Sequence, residues 1–258
     1  MTEVPTVLGD IDVAFLCVVA FVIFLFVLVF YLRREDKREG YPLIGVSGAR
    51  HPRLTLSEGF PPMPAPKTFH LPHGRDPVTV PREEVPEPLH DVTGRPAYGL
   101  PLESPRPLSA GIGAAAFQAQ KPDLPDLTNE GEPKLLSLNS HPDHYIPRGG
   151  ADPRGWVLAD KEGLPVGRIV DIWFNQAEYD VRYFSYSIDG VVGLWLAPTY
   201  FCALDRARGT ARVTTLPLEA LRHPPVRAGE VVTFRDEDRV NGFFAGGIQF
   251  GGASVARH

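Results

Sequence analysis

The most prominent pattern in the chain is an apolar run near its beginning. Residues 13–32 contain no charged side chain. Twenty helical residues at about 1.5 Å each span roughly 30 Å, the thickness of a bilayer's hydrocarbon core. A secretory signal peptide would begin with basic residues and end at a cleavage site of small residues. This run instead follows acidic residues and precedes seven consecutive charged residues, 33–39. The pattern predicts one retained transmembrane helix over residues 12–33.

The segment that follows has no sustained apolar periodicity. Fifteen of the chain's 27 prolines lie between Tyr41 and Leu108. Proline interrupts helices and central strands. The segment also contains short stretches with apolar residues, "PKTFHLPHGR" (66–75) and "VTVP" (78–81). A free linker would not need such residues. We expect extended chain over residues 34–110, lying on the protein's own C-terminal domain or on a partner. An irregular connection over 111–150 should follow.

From residue 151 onward, short β-rich segments alternate with turn residues. Strands are expected at 156–159, 168–174, 181–188, 193–198, 211–216 and 230–235. This spacing is typical of a small antiparallel β-barrel or a sandwich. The stretch 235–247 suggests a helical turn that leads into a terminal strand. The predicted fold class is therefore mainly β with one N-terminal transmembrane α-helix, a cytoplasmic β-domain at 151–250 and a tail at 251–258.

Charge and cysteine content narrow the function classes. The net charge of −5 and the pI near 5.9 give no reason to expect nucleic acid as a partner. Cys17 lies inside the apolar run and Cys202 lies far outside it, so no disulfide is expected.

The distribution of basic residues predicts the orientation in the membrane. Four of them, Arg33, Arg34, Lys37 and Arg38, directly follow the apolar run, and none precedes it. Basic residues beside a span favour the cytoplasmic side. Residues 1–11 should then be periplasmic, and everything after residue 33 should be cytoplasmic.

Two sequences match known site patterns only formally. "GIGAAA" (111–116) fits a dinucleotide-binding fingerprint, but the preceding "ESPRPLSA" cannot be the buried strand that this motif needs. The histidines of "HPDH" (141–144) and the pair His70 and His73 lie among prolines without further ligands at metal-binding spacing. Solvated loop histidines are the preferred interpretation. Without a nucleophile or phosphate-binding motif, we expect no catalytic residue, no metal site and no enzyme.

Two charged regions remain open to more than one interpretation. The acidic stretch 123–134 carries Asp126, Glu130 and Glu132, and such a stretch is usually a solvated loop. Glu178 and Arg182 flank an expected turn between two apolar strands. They are most simply a surface ion pair. If the turn docks on a partner, however, burial beside a guanidinium would perturb the pKa of the Glu178 carboxyl.

Five motifs together resemble the H subunit of the purple-bacterial photosynthetic reaction centre. The first two are "YLRREDKREGYPL" (31–43), directly after a single span, and "PKTFHLPHGR" (66–75). "VTVP" (78–81), "GRIVDIWFN" (167–175) and "DEDRVNGFFAGG" (236–247) follow in the same order as in that family. "GRIVDIWFN" is similar to the core of the PRC-barrel domain. The resemblance covers nearly the whole chain, with a loose match over 83–150.

The resemblance implies a subunit that caps the cytoplasmic face of the L and M subunits and carries protons to the secondary quinone. It implies that L and M hold the bacteriochlorophylls, bacteriopheophytins, quinones and non-haem iron, and that this chain binds none of them. Antenna subunits, a cytochrome subunit and membrane lipids are further partners that it suggests. The location would be the bacterial inner membrane with its intracytoplasmic or chromatophore extensions.

The resemblance also suggests residue roles. Glu178 and Arg182 match an acid and an arginine near the proton route of the family. Tyr41 matches a tyrosine at the contact with the membrane subunits. Some members have a His-Gly-His proton-uptake site where this chain reads Glu130-Gly131-Glu132. Carboxylates can also collect protons, and Asp126 is near these two residues in the sequence. His141 and His144 are the alternative proton-uptake residues.

The charge cluster receives an explanation from the same resemblance. Mixed charges at a bilayer surface can pair with partner subunits and lipid headgroups, and so fix the depth of the helix. The predicted interface residues are Arg33, Arg34, Lys37, Arg38 and Tyr41. The rival interpretation is a membrane-tethered PRC-barrel adaptor outside photosynthesis, which would have no reason to keep residues 31–43 and 66–75. A membrane-anchored enzyme is a more distant third.

Overall fold

The computed structural model describes part of the chain: residues 6–8, 11–41, 59–82, 104, 106–118 and 121–251. The chain divides into two compact units, Met1–Pro86 and Glu87–His258. Much of the expected extended segment, residues 42–58 and 83–103, lies outside the described residues.

The first unit is built around the predicted N-terminal helix, which is confirmed. Strands β1 (Thr6–Leu8) and β2 (Ile11–Asp12) pair antiparallel before it. Helix α1 spans Val13–Glu35. The carboxylate of Asp12 caps it by accepting hydrogen bonds from the backbone N–H groups of Ala14 and Phe15, at 2.9 and 3.3 Å. None of the α1 residues is buried, and the helix is long and apolar enough to cross a membrane.

A short hairpin forms within the proline-rich segment of this unit. Strand β3 (Lys67–Phe69) pairs antiparallel with β4 (Val78–Val80). The hydroxyl groups of the cross-strand pair Thr68 and Thr79 lie 2.8 Å apart. Prolines lie outside the two paired strands, where a missing N–H breaks no ladder.

The second unit contains a seven-stranded sheet. Its strands are β5 (Leu135–Ser137), β6 (Val157–Ala159), β7 (Pro165–Asn175), β8 (Asp180–Ile188), β9 (Val191–Pro198), β10 (Cys202–Asp205) and β11 (Thr210–Val213). Along the sheet the order is β10-β11-β6-β7-β8-β9. β6 pairs with the first part of β7, and β5 pairs with its last three residues.

The mainly β class with one N-terminal apolar helix is confirmed, and two details of the expected barrel differ. The described strands do not close into a ring, since β9 and β10 end the strand order. A 3₁₀ turn at Thr199–Phe201 separates these two strands, and β10 then pairs with β11 instead of β9. In addition, β11 leaves that hairpin running in the same direction as β6, so their pairing is parallel.

The second unit also contains three helices. Helix α2 is Pro107–Ala110, within the segment that was expected to be extended, α3 is Leu218–Leu221 and α4 is Phe234–Phe250. The predicted strand at 230–235 is wrong, and residues 248–250, where the terminal strand was expected to follow, continue α4. Residues 252–258 lie outside the described residues. Thr233 and Asp236 form a capping box that starts α4. Val240, Phe243, Phe244 and Gly247 are buried at helical spacing.

The small residues of "GIGAAA" serve helix packing. A Cβ added to Gly242 of α4 would lie 2.9 Å from the carbonyl oxygens of Ala115 and Ala116, and Ala115 is fully buried. α4 can therefore approach this backbone closely only because glycine faces it. The core beneath combines apolar side chains of the long strands with those of α3 and α4, including Ile169, Ile172, Tyr186, Leu196, Leu221 and Phe244.

Candidate functional site

The charge cluster after α1 binds the backbone of its own chain. Lys37 is buried, and its Nζ donates hydrogen bonds to the carbonyl oxygens of Gly59 and Pro61, at 3.0 and 2.6 Å. An ammonium has only donors, so its burial is tolerated because carbonyl oxygens replace water. The Tyr41 ring centroid lies 5.8 Å from the same Nζ.

Arg38 fastens the other end of the segment 59–82. Its guanidinium makes two bonds to the carboxylate of Glu35, at 2.8 and 3.0 Å. It also donates to the carbonyl oxygens of Ala65 and Val80, at 2.9 and 3.2 Å. One side chain thus joins the end of α1 to both flanks of the β3–β4 hairpin. We call Lys37 and Arg38, with these carbonyl partners, the carbonyl clamp.

The other two basic residues lie in the last turn of α1. Arg33 is exposed and Arg34 is partly exposed. A positive charge at this end of a helix interacts favourably with the helix dipole. Of the four predicted basic interface residues, Arg33 presents its side chain most openly, whereas Lys37 binds inward.

Glu178 and Arg182 come together at the turn between β7 and β8. Arg182, inside β8, lies 2.7 Å from Glu178 and 2.9 Å from Asp180. The side chain of Asn175 shapes the turn, since its oxygen accepts the backbone N–H groups of Ala177 and Glu178. In the isolated chain the Glu178 side chain is 60% exposed. The pair is therefore available to a partner at this surface.

The acidic loop lies directly beside that turn. Gln176 donates from its backbone N–H to the Lys134 carbonyl, at 2.9 Å, and from its side chain to the Pro133 carbonyl, at 2.7 Å. Asp126 forms an ion pair with Lys134 at 2.8 Å. The structure thus brings the predicted loop acids and the Glu178 turn into one region of the second unit.

Glu130 and Glu132 occupy the exposed tip of this loop. The hydroxyl of Thr128 accepts the backbone N–H groups of both residues, at 3.3 Å each. Gly131 between them has a φ of 90°, which favours glycine and permits the tight turn. Their carboxylates are exposed to solvent, as proton-collecting groups would have to be.

Sequence reasoning missed a partly buried acid next to this region. The phenol of Tyr183 in β8 donates to Glu237 of α4 at 2.9 Å, and Asn241 donates to the same phenolic oxygen at 3.1 Å. Burial raises the pKa of Glu237, and the charge of Asp126 acts in the same direction. The Tyr183 hydrogen bond and the Arg182 charge oppose this rise. Burial and the Glu237 charge also raise the pKa of the Tyr183 phenol.

One sequence signal could have located Glu237. The spacing of Thr233 and Asp236 is that of a capping box, which predicts a helix and places Glu237 and Asn241 one turn apart on one face. No local signal indicates Tyr183 as their partner, because it lies 54 residues away from Glu237 along the chain.

His141 and His144, two of the four histidines considered as metal ligands, have other contacts. A ring nitrogen of His141 lies 2.8 Å from the Ser137 carbonyl, and the His144 ring packs on Phe174 with centroids 4.6 Å apart. The two imidazole rings are 6.5 Å apart. Across the described residues, no group of three or more His, Cys, Asp or Glu side chains is arranged to hold a metal ion.

Comparison with known protein families places part of this chain. The family model described as the photosynthetic reaction centre H-chain N-terminal region matches residues 5–140, just over half of the chain. The matched part contains α1, the carbonyl clamp and the acidic loop with Asp126, Glu130 and Glu132. Glu178, Arg182 and Glu237 lie beyond its end.

Proposed function

Because this chain belongs to the photosynthetic reaction centre H-chain family, we propose that it caps the cytoplasmic face of the L and M subunits and conducts protons to the secondary quinone. In this proposal the pigments, quinones and non-haem iron belong to L and M. The chain contributes side chains and backbone only. It is a structural subunit of the complex and not an enzyme.

The anchoring part of the proposal is supported by the first unit. α1 supplies an apolar span, and Arg33, Arg34, Lys37 and Arg38 all follow it. By the positive-inside rule the second unit is cytoplasmic and the N-terminus periplasmic, in the bacterial inner membrane. The carbonyl clamp holds the β3–β4 hairpin at the helix end, where a membrane-embedded partner subunit would meet it.

The proton-conducting part rests on one observation, the convergence of titratable side chains at the acidic loop and the adjoining turn. The exposed carboxylates of Glu130 and Glu132 lie at the loop tip. Electrostatic coupling links Asp126 and Arg182 to Glu237, and Arg182 pairs directly with Glu178. Full reduction of a quinone consumes two protons, and a protein cap excludes bulk water, so protons must cross the cap through groups of this kind.

The Glu178–Arg182 pair is the proposed inner end of this route. Its exposure in the isolated chain leaves the carboxylate free to meet L and M. Once covered, the carboxylate would lie out of bulk water beside Arg182. A carboxyl group within hydrogen-bond reach of the next group can pass a proton on directly or through one water.

Two measurements on the native complex test the proposal. A gently solubilised complex isolated through a tag on this chain should show the absorbance of bacteriochlorophyll. After removal of this chain, the second, proton-coupled electron transfer to the secondary quinone should slow, and adding the full-length chain back should restore it. A tagged chain that isolates without pigment would exclude membership of the assembled complex. Unchanged second-step kinetics without the chain would exclude the proton-conducting role alone.

A further inference from the structure

Phe60 is a large apolar side chain that lies beside the transmembrane helix. It is 83% exposed in the isolated chain, and its ring packs on the ring of Phe30, with centroids 5.4 Å apart. Phe30 belongs to α1 and to the apolar run that spans the membrane. The proline-rich segment therefore returns to α1 after leaving it, and places an aromatic ring against the apolar surface of the helix.

The contact with Phe30 sets the depth of Phe60 relative to the bilayer. Phe30 lies three residues before Arg33, the first charged residue after the apolar run, and three residues correspond to roughly 4.5 Å along a helix. Helical side chains lean toward the N-terminus of their helix, so the Phe30 ring leans from there into the span. A ring in contact with it lies at the cytoplasmic boundary of the hydrocarbon core and not in bulk water.

Lys37 makes the backbone around Phe60 compatible with this depth. Its Nζ donates hydrogen bonds to the carbonyl oxygens of Gly59 and Pro61, the residues on either side of Phe60, at 3.0 and 2.6 Å. At a membrane boundary a backbone carbonyl without a partner is costly, because little water is there to replace one. The two hydrogen bonds remove that cost, and the long side chain of Lys37 delivers them from beyond the end of α1.

The residues that follow Phe60 lower the cost of leaving water further. Pro61, Pro62 and Pro64 have no backbone N–H, so three donors that would otherwise need water or a partner are absent. Pro61 and Pro64 are themselves buried. Phe60 is thus the exposed apolar side chain of a segment that has fewer backbone donors to desolvate.

We propose that Phe60 inserts into the bilayer beside Phe30, at the boundary between the lipid headgroups and the acyl chains. Residues 59–62 then form a second membrane contact, which lies in the interface and does not span it. Lipid acyl chains cover the exposed surface of Phe60, because that surface continues the apolar surface of α1, none of whose residues is buried within the chain. Burial of the ring in lipid then strengthens the hold of the carbonyl clamp on this segment. The proposal does not rest on the proton route.

Tryptophan fluorescence of the full-length chain in phosphatidylcholine vesicles tests this placement. Phe60→Trp adds one indole to the three native ones, and subtraction of the wild-type spectrum isolates its emission. We expect this emission to be blue-shifted, to lose intensity with lipids brominated near the headgroup end of their acyl chains, and to resist iodide added to the water. Val192→Trp, at a 90% exposed position at the start of β9, is the control and should show the opposite response to both quenchers.

The carbonyl clamp offers a second comparison. Lys37→Met in the Phe60→Trp chain should reduce the quenching by brominated lipid, because the carbonyl groups of Gly59 and Pro61 then lose their partner and return to water. Unchanged quenching would overturn the role of Lys37 in this contact.

Three results would contradict the insertion of Phe60 into lipid. Quenching of the added indole by iodide and not by brominated lipid would overturn the proposal. Loss of the brominated-lipid quenching when L and M are added would mean that a protein surface covers Phe60 in the complex, and would overturn lipid as its occupant. If the Phe60→Trp chain does not fold, the wild-type chain decides. A phosphatidylcholine with a photoactivatable diazirine on its acyl chain should label residues 59–66, and labelling confined to α1 would overturn the proposal.

Discussion

The phenol of Tyr183 donates a hydrogen bond to Oε2 of Glu237 at 2.9 Å, which joins the middle of the sheet to the first turns of α4. Tyr183 is almost fully buried. The contact therefore holds a carboxyl group in a partly desolvated place beside Arg182 and Asp126. Burial of a carboxyl group disfavours its charged form, and this has a consequence for stability as well as for proton transfer.

Glu237→Gln should change how the stability of the chain depends on pH. Because the folded state raises the pKa of Glu237 above its ordinary 4.5, the folded chain binds this proton more tightly than the unfolded chain does. Protonated Glu237 therefore stabilises the folded wild-type chain at low pH. This stabilisation is lost as the pH rises from the Glu237 pKa of the unfolded chain through that of the folded chain. The variant should gain free energy of unfolding relative to wild type as the pH rises above 4.5, the ordinary pKa of a Glu carboxyl group, measured by denaturant titration.

Glu219→Gln, an exposed carboxyl group on α3, is the matched control for that experiment and should leave the pH dependence unchanged. If Glu237→Gln and wild type lose stability in parallel over the whole range, the Glu237 pKa is not raised in the folded chain.

Glu178→Gln should slow the second electron transfer to the secondary quinone in the assembled complex, on the order of tenfold or more. The first electron transfer should change much less, because it needs no proton delivered to the quinone. Flash-induced kinetics resolve the two steps. The stability of the chain should stay within about 1 kcal/mol of wild type, since exposed ion pairs contribute little. Second-step kinetics that match wild type from acid to alkaline pH would leave Glu178 as a structural partner of Arg182.

Replacing both Glu130 and Glu132 with Gln should reduce the rate of proton uptake by the complex near neutral pH. The two carboxylates lie at the exposed loop tip, and their removal takes away the outermost proton-collecting groups. A pH-indicator dye after a light flash measures the uptake. Asp143→Asn, an exposed acid between the two histidines of residues 141–144, serves as the control. An unaltered uptake rate would make the loop merely solvated and direct attention to His141 and His144.

Lys37→Met should release part of the segment 59–82 from the end of α1. The ammonium makes two hydrogen bonds to backbone carbonyl groups, and bonds to a charged group contribute about 1.5–3 kcal/mol each. We expect hydrogen exchange over residues 59–66 to become at least about tenfold faster, measured by mass spectrometry of the full chain in detergent. Arg33→Gln, at an exposed position one turn earlier, should not change it. Equal exchange in both variants would mean that the carbonyl clamp does not hold the segment.

Gly242→Ala should destabilise the second unit. The added Cβ would lie 2.9 Å from two backbone carbonyl oxygens, so α4 must shift away from residues 115–116, at a cost of about 1–3 kcal/mol. The midpoint of thermal unfolding measures the effect. Ile248→Ala, at a 72% exposed position of the same helix, should change that midpoint far less. A Gly242→Ala chain as stable as wild type would show that the helix can move without loss of packing.

The positions of several elements could be predicted from the sequence because their signals are local. An unbroken apolar run indicates a spanning helix wherever the rest of the chain goes, and α1 begins within one residue of the predicted start. Strands β7, β8 and β9 are dominated by apolar and β-branched residues between turn residues, and their bounds differ from the prediction by no more than three residues. The strand at 230–235 failed because its apolar residues lead into a capping box, whose hydrogen bonds favour a helix.

In the candidate site, too, local sequence signals predicted some residues, and tertiary structure determined the remaining contacts. The sequence by itself marked the charged residues after α1, the acidic loop and the Glu178–Arg182 pair, since each is a short run or a pair four residues apart. Tertiary structure alone decided that Lys37 turns inward to the carbonyl groups of Gly59 and Pro61. It also decided that Tyr183 meets Glu237. The physical reason is that burial and hydrogen bonding join groups far apart along the chain, and no short stretch of sequence specifies which distant group will replace water.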